Sequence, residues 1–200
     1  LDRSTLEDAL DFKLGLKNLL ITFHPVTLEN ATSAQQMSEL LAALKMLEDT
    51  HLIFTMPNAD TFGRVIFEMI EKFVAGNLYA RAYTSLGQLK YLSCIRHVDG
   101  VVGNSSSGLI EVPSFSKGTI NIGDRQRGRL KAKSVIDCSP KQRSITASLQ
   151  KLYSKEFQLI LKTVKNPYGD GGASEKVVDT LIRTPLKDIL KKRFFDLTSI

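Results

Sequence analysis

The chain has 200 residues, 42 % of them apolar and 24 % charged, an ordinary globular composition that suffices for one domain with a sizeable core, taken as 1–200. No run approaches the roughly 18 to 20 uninterrupted apolar residues of a membrane span, and Leu1 to Leu10 carry charges where a secretory signal would be apolar, so a soluble, cytoplasmic chain without membrane contact is expected. The net charge of +6 favours anionic ligands, but the basic runs Arg125 to Lys133 and Lys187 to Arg193 lack the interleaved aromatics of a single-strand reader, and no nucleic-acid partner is expected.

Asn18 to Phe23 is a short apolar run ending in His24-Pro25; the proline blocks continuation into a helix, which predicts a buried strand and a loop. A helix capped by Thr32 or Ser33 follows, with Met37, Leu40, Leu41, Leu44 and Leu47 at the three-to-four spacing of a core-facing stripe. Leu52 to Thr55 is strand-like, Phe62 to Phe73 helical, Leu78 to Tyr83 strand-like and Leu86 to Arg96 helical. Val98 to Val102, Gly118 to Ile122 and Ser134 to Asp137 add three short strands. About six strands separated mostly by helices predict an α/β fold with a doubly wound, mainly parallel sheet, whose ligands bind beyond the carboxyl ends of the strands. C-terminal helices are predicted over about 140–193, as Gln142 to Leu161 and Ala173 to Lys192, joined by the glycine-rich turn Asn166 to Gly172. Cys94 and Cys138 match no metal-ligand spacing and are expected to pack in the core without a disulfide.

Gly103-Asn-Ser-Ser-Ser-Gly-Leu-Ile-Glu111 follows a predicted strand and is expected to open a helix. Small residues admit close approach of a ligand, and amides at a helix start favour an anion, so phosphate is the natural guest, with Ser105 and Ser106 as further donors. A tight turn with a serine cap accounts for the same residues. Glu111, on the expected first helical turn, would repel a diphosphate unless it turned to a neutral part of the ligand, and the vicinal hydroxyls of a ribose fit. The strand Gly118 to Ile122 runs into Gly123-Asp-Arg-Gln-Arg-Gly-Arg129, a cationic loop at a strand's carboxyl end in which Arg125 is the better candidate for phosphate and Arg129 the weaker. His24 would sit on the same edge as donor or proton carrier, and Asn58 closes the second strand where a ligand contact and a turn are both compatible. His51 and His97 are expected to pack or face solvent.

Taken in order, Thr22-Phe-His-Pro-Val-Thr27, Pro57-Asn-Ala-Asp60, Gly103 to Gly108 with Glu111, Gly123 to Arg129 and Asn166 to Gly171 resemble the C-terminal half of the hydrolysing UDP-N-acetylglucosamine 2-epimerases, over most of the chain. That resemblance implies one half of a GT-B fold, two Rossmann-like domains facing a cleft, with this half gripping a UDP-sugar. It implies that Ser105, Ser106, Arg125 and His24 face the diphosphate, Glu111 the ribose, Asn58 the ligand's edge and Tyr91 the uracil. It further implies loss of UDP to form a glycal and then addition of water, without metal or redox cofactor, with the principal acid and base groups on an N-terminal domain not resembled here. The main catalytic work would therefore lie outside this chain, with His24 as its own candidate. Homo-oligomers are implied for the complete enzyme. The His24-Pro25 pair and the Arg125 segment resemble the hydrolysing rather than the non-hydrolysing branch.

Other functions compete. A non-catalytic module that senses a nucleotide or docks a partner should work as an isolated domain, and half of a GT-B glycosyltransferase would share the phosphate and ribose contacts without predicting His24-Pro25 or the Arg125 segment. A 2,4-diacetamido sugar is as compatible as N-acetylglucosamine, and GDP is compatible in place of UDP.

Overall fold

A computed structural model describes residues 1–25, 33–57, 63–185 and 187. The expected positions Thr27, Thr32, Asn58, Asp60 and Phe62, and the predicted end of the last helix near Lys192, lie outside the described residues. The chain divides into two compact units, 1–168 and 169–200, where the sequence suggested one domain.

The first unit is built on six strands: β1 (Lys17–Thr22), β2 (Thr50–Thr55), β3 (Ala80–Tyr83), β4 (Gly100–Gly103), β5 (Gly118–Ile122) and β6 (Val135–Cys138). They form one sheet in the order β3-β2-β1-β4-β5-β6 with every pairing parallel. Successive side chains point to opposite faces, and both faces are apolar. Leu19, Ile21, Leu52, Phe54, Val102 and Ile120 point to one core, which α2 (Ser33–Lys45), α3 (Gly63–Ala75), α6 (Gln142–Leu152) and α7 (Lys155–Leu161) supply with Met37, Leu40, Ile66, Ile70, Leu149 and Phe157. Leu20, Ile53 and Val101 point to the other, closed by Leu6 and Leu10 of α1 (Arg3–Leu10) and Cys94 and Ile95 of α4 (Gly87–His97). Covering both faces makes the sheet doubly wound, as expected.

Three local differences have physical causes. The helix α1 was not anticipated; Asp2 caps it, its carboxylate accepting from the Thr5 amide at 2.8 Å, and Leu6 and Leu10 are its buried residues. The single helix expected over Gln142 to Leu161 is two, because Ser154 adopts extended backbone and caps a new start through the Phe157 amide. The helix expected after Gly103 is one turn, α5 (Ser107–Ile110), followed by a 3-10 turn over Val112–Phe115 with Pro113 near its start.

The second unit contains α8 (Ala173–Arg183), which starts at Gly172 in left-handed backbone, φ 75°, a conformation that favours glycine. Its apolar residues Val177, Val178, Leu181 and Ile182 are exposed. The turn before it lies in the first unit up to Tyr168, where Asn166 donates to the Ile110 carbonyl at 2.8 Å and to the Ser114 hydroxyl at 2.7 Å. Among the described residues no helix is long and apolar enough to cross a membrane.

Candidate functional site

The strand order reverses between β1 and β4. From β1 the chain winds outward through β2 and β3, then returns to place β4 on the opposite side of β1, the kind of reversal at which parallel sheets open a crevice beyond the strands' carboxyl ends. The last paired residues are Thr22 and Gly103. Gly103 has φ 146°, and a Cβ there would lie 1.9 Å from the Thr22 carbonyl oxygen, so only glycine lets the two strand ends come this close.

An open cleft of about 520 Å³ lies over this point. His24 enters it from β1, Tyr91 from α4, and Ser105, Ser107 and Glu111 from the turn after β4, while Thr84 to Gln88 form the far wall. Thr22 and Thr55 line its floor at the ends of β1 and β2, joined by a 2.9 Å hydroxyl contact. The structure thus brings together His24, Tyr91, Ser105 and Glu111, which are separated by up to 87 positions in the chain (111 − 24).

The turn itself is suited to an anion in a way the sequence only partly indicated. Among the described residues, the amides of Ser105 and Ser106 donate to no protein acceptor, whereas the Gly108, Leu109 and Ile110 amides are engaged by carbonyls of the turn. Ser106 makes no side-chain capping bond, and Ser105 accepts weakly from the Ser107 amide at 3.4 Å. The serine-cap explanation therefore has no bond from Ser106 behind it. One helical turn supplies little aligned dipole, so the local amides rather than a long helix would attract phosphate. Glu111 stands at the C-terminal end of α5, not in a first turn, yet faces the same cleft.

Tyr91 donates its hydroxyl to Ser107 at 2.8 Å. Burial pushes its phenol pKa up, opposed in part by bonding to Ser107 and Thr22, so it stays a neutral donor. Its ring is thereby tied to the same turn that presents the free amides.

The basic loop is placed differently from the cleft residues. Arg125 is exposed and donates to the Asn104 carbonyl at 3.1 Å, beside a second cavity of about 360 Å³ lined also by Gln36, Gly123 and Ser139. Arg129 is exposed, and the structure does not bring its side chain to either cavity. The pair that fixes these loops, Asn104 and Gln126, is nearly fully buried and carries little signal in sequence. The available signal was an uncharged glutamine amid arginines and an asparagine between a glycine and three serines. Ser107 and the wall Thr84 to Gln88 were also missed, since nothing in their spacing separates them from an ordinary βα junction.

The remaining titratable candidates have structural roles. His51 lies between Phe12 and Tyr79 with its ring tilted to both and bonds the Lys13 carbonyl at 2.6 Å, and His97 bonds the Leu1 carbonyl at 3.0 Å. Burial raises the Cys94 and Cys138 thiols to about 12 and about 11, which suits core packing rather than nucleophilic chemistry. Among the described residues no group of three or more histidines, cysteines and carboxylates could hold a metal ion.

Residues 3–182 match the family model described as UDP-N-acetylglucosamine 2-epimerase. The chain is 40 % identical over 199 residues to a Campylobacter jejuni protein named GDP/UDP-N,N'-diacetylbacillosamine 2-epimerase (hydrolyzing), covering 98 % of this chain and 51 % of that protein. It is 36 % identical over 195 residues to the Escherichia coli polysialic acid biosynthesis protein P7, covering 94 % and 49 %. Among solved structures, the UDP-GlcNAc 2-epimerase from Neisseria meningitidis bound to UDP-GlcNAc superposes with a TM-score of 0.64 at 17 % identity, covering 90 % of this chain and 48 % of that one. The chain spans about half the length of the curated relatives it matches. It belongs to the UDP-N-acetylglucosamine 2-epimerase family.

Proposed function

We propose that this member of the family is the nucleotide-holding, C-terminal half of a hydrolysing 2-epimerase, and that its cleft binds the UDP portion of a UDP-sugar. The observation that carries this is the convergence of His24, Tyr91, Ser105 and Glu111 on one cleft at the β1/β4 reversal. The Ser105 and Ser106 amides and hydroxyls would hold diphosphate oxygens, with Arg125 moving in to add a forked cation. Glu111 would accept from the ribose hydroxyls, and Tyr91 with the wall Thr84 to Gln88 would flank the base.

In the reaction proposed, the C1–O bond to UDP breaks as the C2 proton leaves, giving a glycal and UDP. Water then adds its oxygen to C1 while a proton is delivered to C2 on the opposite face, releasing the free 2-epimeric sugar. This half would stabilise the charge that develops on the departing diphosphate. Proton transfer at C2 would fall to groups outside this chain, consistent with its covering about half of its relatives. The name of the Campylobacter jejuni relative, an N,N'-diacetylbacillosamine 2-epimerase, supports a diacetamido sugar as a second reading for this chain beside N-acetylglucosamine.

The test is a calorimetric titration of UDP, with GDP and free N-acetylglucosamine as comparisons, into the chain and into Ser106→Ala and Glu111→Ala variants. Saturable UDP binding weakened by about tenfold or more in each variant is expected, since each removes a hydrogen bond to or from a charged group. UDP binding that neither substitution alters would place the nucleotide elsewhere.

A further inference from the structure

Two buried amides tie the cleft together without lining it. Asn104 is 1 % exposed and Gln126 2 %. The Asn104 side chain closes on the backbone of His24 at both ends: its Oδ1 accepts from the His24 amide at 2.8 Å and its Nδ2 donates to the His24 carbonyl at 2.8 Å. The loop after β1 is thereby locked to the turn after β4. The main-chain carbonyl of the same Asn104 accepts from Gln126 Nε2 at 2.8 Å and from Arg125 at 3.1 Å, which locks the loop after β5 to that turn as well. Three loops from three adjacent strands thus meet on one residue.

The two donors on that carbonyl are not equivalent. Gln126 is buried and Arg125 exposed. A carbonyl oxygen has two lone pairs and needs one partner when buried, so Arg125 can leave it for an anion while Gln126 keeps it paired. Without Gln126, the same movement would orphan a buried acceptor and oppose ligand binding.

We propose that Asn104 and Gln126 are positioning residues: Asn104 sets His24 against the Ser105 turn, and Gln126 holds the Asn104 carbonyl so that Arg125 is free to transfer to the diphosphate. This rests on the nucleotide reading of the cleft. Its distinguishing consequence is that the effect falls on the phosphate part of the ligand, because the nucleoside would rest on Glu111, Tyr91 and the Thr84 to Gln88 wall, to which neither amide side chain is bonded.

The experiment compares Asn104→Ala and Gln126→Met with the unaltered chain in three measurements: affinity for UDP, affinity for uridine, and exchange of the His24 amide by NMR without ligand. Both variants should bind UDP about tenfold more weakly and uridine within about twofold of the unaltered chain. Asn104→Ala should also speed His24 amide exchange by about tenfold or more. In the Gln126→Met background, Arg125→Met should cost less UDP affinity than it does alone, because the two acts are coupled. Equal loss for UDP and uridine, or undiminished UDP affinity, would overturn the proposal. If the unaltered chain binds no UDP, the nucleotide reading fails, and unchanged His24 exchange in Asn104→Ala would overturn the clamp on its own evidence. Should Asn104→Ala not fold, the Gln126→Met comparison decides.

Discussion

The two edges of the sheet use the same device for different ends. At the amino edge, Asn18 closes on Gly15, accepting its amide at 2.8 Å and donating to its carbonyl at 3.1 Å, while Asp99 takes the Asn18 amide at 2.7 Å and returns its own amide to the Asn18 carbonyl. At the carboxyl edge, Asn104 closes on His24 in the same two-bond manner. Both asparagines join β1 to β4 or its flanks, one at each end. The difference is what is left over. At the amino edge the turn's polar groups are paired with one another, and the rings of Phe12, His51 and Tyr79 pack together beside it. At the carboxyl edge the clamp uses up the asparagine but leaves the Ser105 and Ser106 amides without a protein acceptor among the described residues, Ser105 in the lining of the cleft and the exposed Arg125 beside the second cavity. An edge becomes a site when the bonds that hold it rigid are made by residues other than those that present donors.

That comparison can be broken most severely at Gly103. Gly103→Ala should destabilise the chain by about 3 kcal/mol or more, from left-handed backbone strain and overpacking against Thr22 combined, and should abolish nucleotide binding, as read by urea denaturation and titration. A milder change sharpens it. Asn18→Ala should cost about 1 kcal/mol by removing the acceptor of the half-buried Gly15 amide, while the Gly15 carbonyl keeps Arg3 as donor, yet leave UDP affinity within about twofold, the reverse of the pattern expected for the carboxyl-edge amides.

The smallest effect concerns pH, at the end of β3. The Tyr83 hydroxyl donates to the Leu10 carbonyl at 2.7 Å, and burial raises its phenol from 10.0 to about 12. Below pH 10 both folded and unfolded chains keep this proton and the contribution is complete; between 10 and about 12 the unfolded chain loses it first, so stability falls as pH rises. Tyr83→Phe should lessen the fall in urea midpoint between about pH 9 and about pH 11. It should not abolish it, because the Cys94 thiol, raised from 9.0 to about 12, acts in the same direction.

Much of this was legible in the order of residues. Runs such as Asn18 to Phe23 and Val98 to Val102 are apolar on both alternations, which is the mark of strands covered on both faces, and β5 coincides with its expected span at Gly118–Ile122. The motifs that end these strands put His24, Ser105 and Glu111 at a carboxyl edge once a parallel sheet was inferred, and all three line the cleft. Ser106, Arg125 and Arg129 are not among its lining residues, and Arg125 donates to the Asn104 carbonyl instead.

What the sequence by itself determined was therefore the kind of fold, the strand ends that border the cleft, and the family resemblance that residues 3–182 bear out. Tertiary structure alone decided which of those ends are neighbours and which side chains face inward. The order of strands depends on crossovers that local patterning does not encode, and so the pairing of Thr22 with Gly103 could not be read from either segment. The same holds for Asn104 and Gln126. A polar residue in a loop looks alike in sequence whether solvent or a backbone 80 positions away completes its hydrogen bonds.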